Sequence, residues 1–302
     1  MVTGRMYIDG VDAWKRYGVC VEQGGYKSVV QMPALKSISV TDWGEYDGEE
    51  ADLTAPVLDS RKVSLPLCIS NIRKAEDLYA TMADGAYHEF RFVDIGKTYT
   101  MRMTETSSFS QLVRLGKLTL ALNEDNPQAP TAGTISKTYV TGYEIDDIDI
   151  GSYGIHVVEG TEESLRKAAA IRPALSISAA DMTGIWYDAD GTVHFKAKDA
   201  TLKLFIHADS ISDFWARYES LFAMLIKADT RRLYFPRLET EYECYYKSCS
   251  VSEFDVLRGG RIWCAFGVTM RITNPAISTT WEGLVSEADY WILTENGVKV
   301  IV

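Results

Sequence analysis

The chain has few of the residues that most often build metal sites and catalytic centres. Its 302 residues include four histidines and five cysteines. The cysteines form no CxxC pair and have no histidine at metal-ligand spacing, and an odd, small number is not typical of a disulfide framework. We therefore expect reduced, mostly buried thiols, with a Cys244–Cys249 pair as the remaining alternative.

Long hydrophobic runs and a surplus of basic residues are also absent. No apolar stretch approaches the roughly 20 residues that span a bilayer, and the opening MVTGRMYIDG lacks the apolar core of a signal peptide. The 31 basic and 42 acidic residues give a net charge of −11, which repels the phosphates of nucleic acids and anionic membranes. We expect a soluble globular protein that binds no membrane and no specific nucleic acid.

Common catalytic and nucleotide-binding motifs are missing from the sequence. It contains no GxGxxG before a helix, no GxxxxGK[ST], no HExxH and no GxSxG. We predict no catalytic residue, no cofactor and no metal. A hydrolase of unrecognised type stays open as an alternative, because folding could bring two carboxylates together in a cleft.

The chain repeats itself with a period near 140 residues. Three of the recurring blocks, in the same order, are YGVCV and YGIHV at 17–21 and 153–157, PAL at 33–35 and 173–175, and NP at 126–127 and 274–275. This period is the size of a whole domain. We predict similar domains at 1–127 and 139–275, a linker at 128–138 and a tail at 276–302.

Each repeat has the pattern of a mainly β domain with one late helix. Alternating apolar and polar residues predict strands at 35–40, 63–69, 89–93, 99–103 and 117–122, and later at 232–235, 242–246 and 262–271. Helical spacing predicts helices at 70–83 and after Ser212, which could cap the second helix. We expect two tandem β-sandwich or β-barrel domains.

Turn signals predict three hairpins. Asp47-Gly48 and Asp190-Gly191 each lie between strand-like segments. In the tail, Tyr290 and Trp291 lead to an Asn296-Gly297 turn, and an apolar strand follows it. An isolated hairpin is marginal in water, so we expect the C-terminal hairpin to dock on its own domain or on another subunit.

Acidic residues crowd one of these hairpins. No lysine or arginine lies among Asp42, Glu45, Asp47, Glu49, Glu50 and Asp52. The pattern only partly fits a calcium loop. It is typical of a solvated hairpin tip, and the alternative is a surface that faces a charged partner or an aqueous channel.

Exposed aromatic side chains could support a second class of function. A carbohydrate-binding β-sandwich would use tryptophans as platforms for sugar rings. The candidates are Trp14, Trp43, Trp186 and Trp281.

The opening of the chain resembles the distal tail proteins of tailed phages. Residues 6–19 read MYIDG, then YGV, which is similar to their N-terminal signature, and the order of elements up to Asn126-Pro127 is similar too. The resemblance implies a non-enzymatic β-sandwich with one helix, related to the tail-tube fold, in a hexameric ring around the tail axis. Its partners would be itself and the neighbouring tail-tube and tail-tip proteins of a phage or prophage, after synthesis in the bacterial cytoplasm.

The second half departs from that family. Many distal tail proteins carry a different C-terminal domain, whereas here the second half repeats the first through Tyr153-Gly154. Two tube-like domains in one chain resemble baseplate hub proteins, which form trimers. The resemblance therefore implies a ring of six chains, or of three chains with six domains, with the acidic residues 42–52 at the lumen or at a ring contact.

Overall fold

The computed structural model of the protein describes residues 2–104, 108–111, 116–173, 176–187, 193–237 and 240–275. Strands dominate these residues, which confirms the prediction of a mainly β protein. Within the described segments, no helix is long and apolar enough to cross a membrane.

The first repeat forms an eight-stranded antiparallel sheet. In chain order its strands are β1 (Met6–Ile8), β2 (Val11–Asp12), β3 (Val19–Val21), β6 (Arg61–Ile69), β7 (His88–Phe92), β8 (Lys97–Met103), β9 (Ser108–Gln111) and β10 (Gly116–Glu124). Across the sheet they run β2-β1-β7-β8-β10-β6-β3, with β9 paired to β10. Between β3 and β6, β4 (Val40–Thr41) and β5 (Glu50–Ala51) form a separate hairpin.

The second repeat forms a seven-stranded sheet in the same order. Its strands are β11 (Glu144–Ile145), β12 (Ile148–Asp149), β13 (His156–Val157), β16 (Lys198–Ala208), β17 (Arg231–Phe235), β18 (Thr240–Val256) and β19 (Ile262–Ile272). They run β12-β11-β17-β18-β19-β16-β13. A separate hairpin of β14 (Ser176–Ile177) and β15 (Trp186–Tyr187) again lies between the corresponding strands. The sheet order thus follows the sequence repeat, and the domain boundaries stay a prediction.

More helices occur than the one per repeat that the sequence predicts. They are α1 (Ala13–Tyr17), α2 (Lys27–Val30), α3 (Ile72–Met82), α4 (Thr161–Arg166), α5 (Ile211–Leu225) and a 3-10 helix (Ile150–Tyr153). Four of the six are one or two turns long, too short for a helical period to show in the sequence. Local caps define some of them: Asp12 accepts hydrogen bonds at the start of α1, and Gly18 ends it with a left-handed backbone.

Helix α5 carries the core of the second repeat. Its predicted aromatic stripe is buried: Phe214, Trp215, Tyr218, Leu221, Phe222 and Leu225. The N-cap is Ser210 rather than the predicted Ser212, because the hydroxyl of Ser210 accepts a hydrogen bond from the Asp213 N–H.

Two predicted strands differ from those in the structure. In the segment 35–40, only Leu35 bridges to Leu58, and Val40 enters β4. The N–H of Leu35 instead donates to Lys247 of β18. β18 is much longer than the predicted 242–246, because bulges shift its register twice and interrupt the alternation.

The two repeats share one hydrophobic core. The indole of Trp215 on α5 donates to the carbonyl of Ile95, between β7 and β8, at 2.6 Å. The hydroxyl of Tyr246 on β18 donates to the carbonyl of Pro33 at 2.7 Å. The expected linker 128–138 also lies against α5, where the N–H of Gly133 donates to the Ser220 hydroxyl at 2.9 Å. The repeats are therefore packed together.

All five cysteines are free. Cys244, Cys249 and Cys264 are buried, and burial raises the pKa of the Cys249 thiol to about 11. Cys20 and Cys68 are half-buried and lie opposite each other on β3 and β6. The alternative of a Cys244–Cys249 disulfide is not what the structure contains.

A histidine and two carboxylates tie the turn after β1 to the start of β7. The Nδ1 atom of buried His88 lies 2.7 Å from Asp9, and its Nε2 lies 3.2 Å from Asp84. Burial lowers the pKa of His88, but the hydrogen bonds and charges of the two carboxylates outweigh burial and raise it above 6.5.

We expect this cluster to make stability depend on pH. The folded state binds the His88 proton more tightly than the unfolded chain does. The contribution is therefore full below about pH 6.5, the unfolded pKa, and is lost as pH rises through the higher folded pKa. By urea unfolding, the wild type should have a higher free energy of unfolding than His88→Gln at about pH 5.5, and this difference should shrink towards about pH 8.5. A constant difference would contradict the prediction.

Candidate functional site: two β-hairpin arms

A hairpin arm leaves each repeat at the same place. The first arm, residues 40–51, pairs Val40 with Ala51 and Thr41 with Glu50 and has an eight-residue loop at 42–49. This confirms the hairpin predicted around Asp47-Gly48. The arm contains all the predicted acidic residues except Asp52, which follows it directly.

The backbone of the first arm docks on the second repeat. The N–H of Gly48 donates to the carbonyl of Phe195 at 2.8 Å, and the N–H of Phe195 donates to Asp47 at 2.7 Å. The N–H of Glu49 donates to the carbonyl of Thr273 at 2.8 Å. Gly48 has a φ of +76°, and a Cβ there would lie 1.8 Å from that Thr273 oxygen. Only glycine fits this contact.

Charge pairs reinforce the docking. The guanidinium of Arg271 holds Glu49 at 2.9 and 2.6 Å, and the Glu49 side chain is only 9% exposed. Hydrogen bonding to Glu49 raises the pKa of Arg271. Burial, followed by the Glu49 charge, raises the pKa of the neighbouring Tyr245 to about 12. Arg172 pairs with Asp42 at the base of the arm.

The remaining acids have other surroundings. The Glu45 side chain is exposed to solvent. Glu50 accepts a hydrogen bond from the indole of Trp43 at 3.3 Å. Asp52 accepts bonds from the N–H and hydroxyl of Thr54 and so stabilises a local turn. The six acids therefore do not form one uniform surface: Asp42, Asp47 and Glu49 contact the second repeat.

The second arm, residues 176–187, has the same design. Ser176 pairs with Tyr187 and Ile177 with Trp186, which leaves an eight-residue loop at 178–185. Gly184 stands where Gly48 stands in the first arm and has a similar φ of +85°. The counterpart of Asp47-Gly48 is thus Thr183-Gly184, whereas the predicted Asp190-Gly191 lies outside the described residues.

The bridges at the bases of the arms revise one block of the repeat. Leu35 bridges to Leu58, and Ile171 bridges to Phe195. Leu35 therefore corresponds to Ile171, rather than to Leu175 as the PAL match suggests. Leu175 itself lies outside the described residues.

The second arm is exposed where the first is covered. A Cβ on Gly184 would meet no atom of the described residues within 4 Å. Large apolar side chains of this arm are open to solvent: Ile177, Met182, Ile185, Trp186 and Tyr187. Ile185 is 67% exposed and Trp186 50%. These exposed apolar side chains make the second arm a candidate interaction surface.

The other predicted candidates are divided between the arms and the rest of the chain. Trp43 and Trp186, considered as sugar platforms, each lie on an arm and are about half exposed, while Trp14 is half-buried on α1. Trp281 and the subunit-docking hairpin with Tyr290, Trp291, Asn296 and Gly297 lie outside the described residues. In the described segments, no three His, Cys, Asp or Glu side chains come together as a metal site.

Sequence reasoning missed the residues that receive the first arm. Arg271 is the next-to-last residue of β19 and Thr273 follows that strand, while Arg172 and Phe195 lie in the segments before and after the second arm. They contact the first arm at sequence separations above 120 residues. No local spacing in the sequence could reveal such a contact.

Comparison with known proteins gives a distant structural likeness. No family model matches the sequence, and no curated protein matches it. Among solved structures, the fold is similar to the crystal structure of the SPP1 Dit (gp 19.1) protein, described as a paradigm of hub adsorption apparatus in Gram-positive infecting phages. The TM-score is 0.32 with 12% identity, over 88% of this chain and 97% of that chain.

Proposed function

We propose that this protein is a non-enzymatic structural component of a phage or prophage tail tip or baseplate, where it assembles into a ring around the tail axis. The resemblance of residues 6–19 to distal tail proteins supports this function. Its partners are further copies of itself and the neighbouring tail-tube and tail-tip proteins.

The observation that carries the proposal is the contact between the first arm and the second repeat. The contact joins two units of the same strand order through different surfaces, an arm on one and an arm base on the other. A contact between different surfaces can continue from unit to unit, and it closes into a ring if the rotation allows. One chain thus supplies two consecutive ring units.

The acidic residues have a definite place in this proposal. Glu49 and its neighbours form the ring contact between two units of one chain. The exposed carboxylate of Glu45 contributes to the acidic surface, which repels the phosphate backbone of passing DNA. The ring contains six units from three chains or twelve units from six chains.

The first test is the mass of the full chain in solution. Light scattering over a concentration series, with negative-stain images, should show a trimer or hexamer with a central hole. The single-chain mass is 33.8 kDa, so these states are well separated. A chain that stays monomeric at its highest soluble concentration would contradict ring formation by this protein alone.

A further inference from the structure

We propose that the second arm, residues 176–187, docks on the first repeat of another copy of this chain, at the site that corresponds to the one where the first arm docks within the chain. The inference rests on the proposed ring and names the surfaces that join its chains. The first arm makes the arm contact inside a chain, and the second arm would make the corresponding arm contact between chains.

The second arm has the geometry that docking requires. Its loop has the same length as the first, and its glycine has the same left-handed backbone at the same position. In the first arm this glycine brings the backbone against Thr273. Around Gly184, no atom of the residues that the structure describes occupies the corresponding space. The arm is therefore shaped for a contact that the single chain does not make.

The first repeat has the corresponding backbone groups. Leu58 stands where Phe195 stands, and the flanking hydrogen bonds are the same: Lys36 N–H to Val57 carbonyl, and Asp59 N–H to Ala34 carbonyl. In this pattern the N–H and carbonyl of Leu58 point away from its bridge partner Leu35. The N–H and carbonyl of Phe195 likewise point away from Ile171, and they face Gly48. Within the described part of the chain, neither group of Leu58 has a hydrogen-bond partner.

The side chains have changed together on both surfaces. Ile185 replaces Glu49 on the arm. On the receiving strand, Asn123 stands where Arg271 stands. Glu124 pairs with Arg61 in the first repeat, and Ile272 pairs with Lys198 in the second. The residues just before them, Asn123 and Arg271, therefore correspond. An acid facing an asparagine, or an arginine facing an isoleucine, would bury an unpaired charge. The joint change leaves a neutral contact.

The receiving surface offers further complements. Lys36 stands where Arg172 stands and keeps a positive charge for the carbonyl of Gly184, as Arg172 contacts the carbonyl of Gly48. Val57, which is 56% exposed, stands where His194 stands and offers an apolar neighbour for the exposed arm. The partner that fits is therefore a second copy of this chain.

The occupant must come from another chain. In the structure, large apolar side chains of the second arm are exposed to solvent, and no hydrogen bond of the described residues joins this arm to Leu58. Each molecule thus has an exposed apolar arm and a free receiving site. The arm of one molecule can therefore bind only the receiving site of another molecule. Because the two surfaces differ, the contact is heterologous and extends to a closed ring.

A first test uses charge on the arm. Ile185→Glu and Trp186→Glu place a carboxylate on exposed side chains, so the monomer should fold as the wild type does, with unchanged circular dichroism. Each should shift the assembled mass to that of a single chain. Val140→Glu is the matched control, because Val140 is 94% exposed and lies outside both arms, and this variant should still assemble.

A second test cross-links two separately labelled chains. One chain carries Ile185→Cys and the other Asn123→Cys, both in a background with Cys20→Ser and Cys68→Ser. Mixed and treated with a short bis-maleimide, they should form a covalent heterodimer. Each chain alone should give none, and neither should Ile185→Cys mixed with Val140→Cys.

The outcomes separate this inference from the proposed function. Rings that form without the cross-link and survive Ile185→Glu and Trp186→Glu would overturn the arm contact and leave the ring standing. A wild-type chain that never assembles would overturn both. Rings together with the heterodimer would support both.

Discussion

Replacing Gly48 with alanine is expected to release the first arm from the second repeat. The residue has a φ of +76°, and the new Cβ would lie 1.8 Å from the Thr273 carbonyl oxygen. A left-handed backbone costs an alanine about 1–2 kcal/mol, and each hydrogen bond lost from the arm costs about 1 kcal/mol more. We expect the free energy of unfolding to fall by about 3 kcal/mol.

Urea unfolding measures this loss, and limited proteolysis should show new cleavage in the loop 42–49. Gly184→Ala is the matched control, because it has a similar φ of +85° but open space around its Cβ. It should cost the single chain only the backbone strain of about 1–2 kcal/mol and leave the first loop protected. If both variants lost the same free energy of unfolding and were cleaved equally in the loop 42–49, the first arm would not be docked.

Replacing Arg217 with methionine should destabilise the second repeat even more. Arg217 is fully buried on α5, and its guanidinium donates to the Asp213 carboxylate at 2.9 and 2.7 Å. It also donates to the carbonyls of Gly154 at 3.2 Å and His207 at 3.4 Å. Methionine would remove the guanidinium donors from the Asp213 carboxylate and from both carbonyls, and would leave Asp213 with only the Ser136 hydroxyl and the Asp209 N–H. Removing one partner of such a pair costs about 3–5 kcal/mol.

The matched control is Arg232→Met, since Arg232 pairs with Asp147 on the surface with both side chains about half exposed or more. An exposed pair contributes about 0–1 kcal/mol. Urea midpoints of the two variants should therefore differ widely. Similar midpoints would mean that the Arg217 cluster does not hold α5 to the sheet.

Much of the sheet architecture could be predicted from the sequence. Alternation over 63–69 and 262–271 gave strands β6 and β19 nearly to the residue, because one face of each strand is buried and the other is not. The repeat likewise anticipated two sheets of one order. Short helices such as α2 could not be predicted, since four residues are too few to show a helical period.

The candidate site could be predicted only in part. The acidic loop stands out in composition, and Asp47-Gly48 marks its turn, so the first arm was found. Its receptor was not, because Arg271 and Phe195 become neighbours of the loop only through the packing of one repeat on the other. The second arm lies around Thr183-Gly184, which is a weaker turn signal than Asp190-Gly191, and the hairpin predicted at Asp190-Gly191 lies outside the described residues.

The composition of the acidic loop favours a solvated hairpin tip. In the structure, however, the side chain of Glu49 is nearly covered and is bound by Arg271. Long-range pairing of this kind has no local signature. The second arm has Ile185 in place of Glu49, and its proposed receptor has Asn123 in place of Arg271, so the acid and its arginine are absent together.

Electron cryomicroscopy of the assembled protein tests the central claim most directly. The account predicts a closed ring in which arm 176–187 of each chain lies on the first repeat of the next. The backbone of Gly184 should lie against Leu58 and against Asp125, which follows β10 as Thr273 follows β19. A closed two-fold dimer, or a ring in which the second arms project freely into solvent, would contradict it.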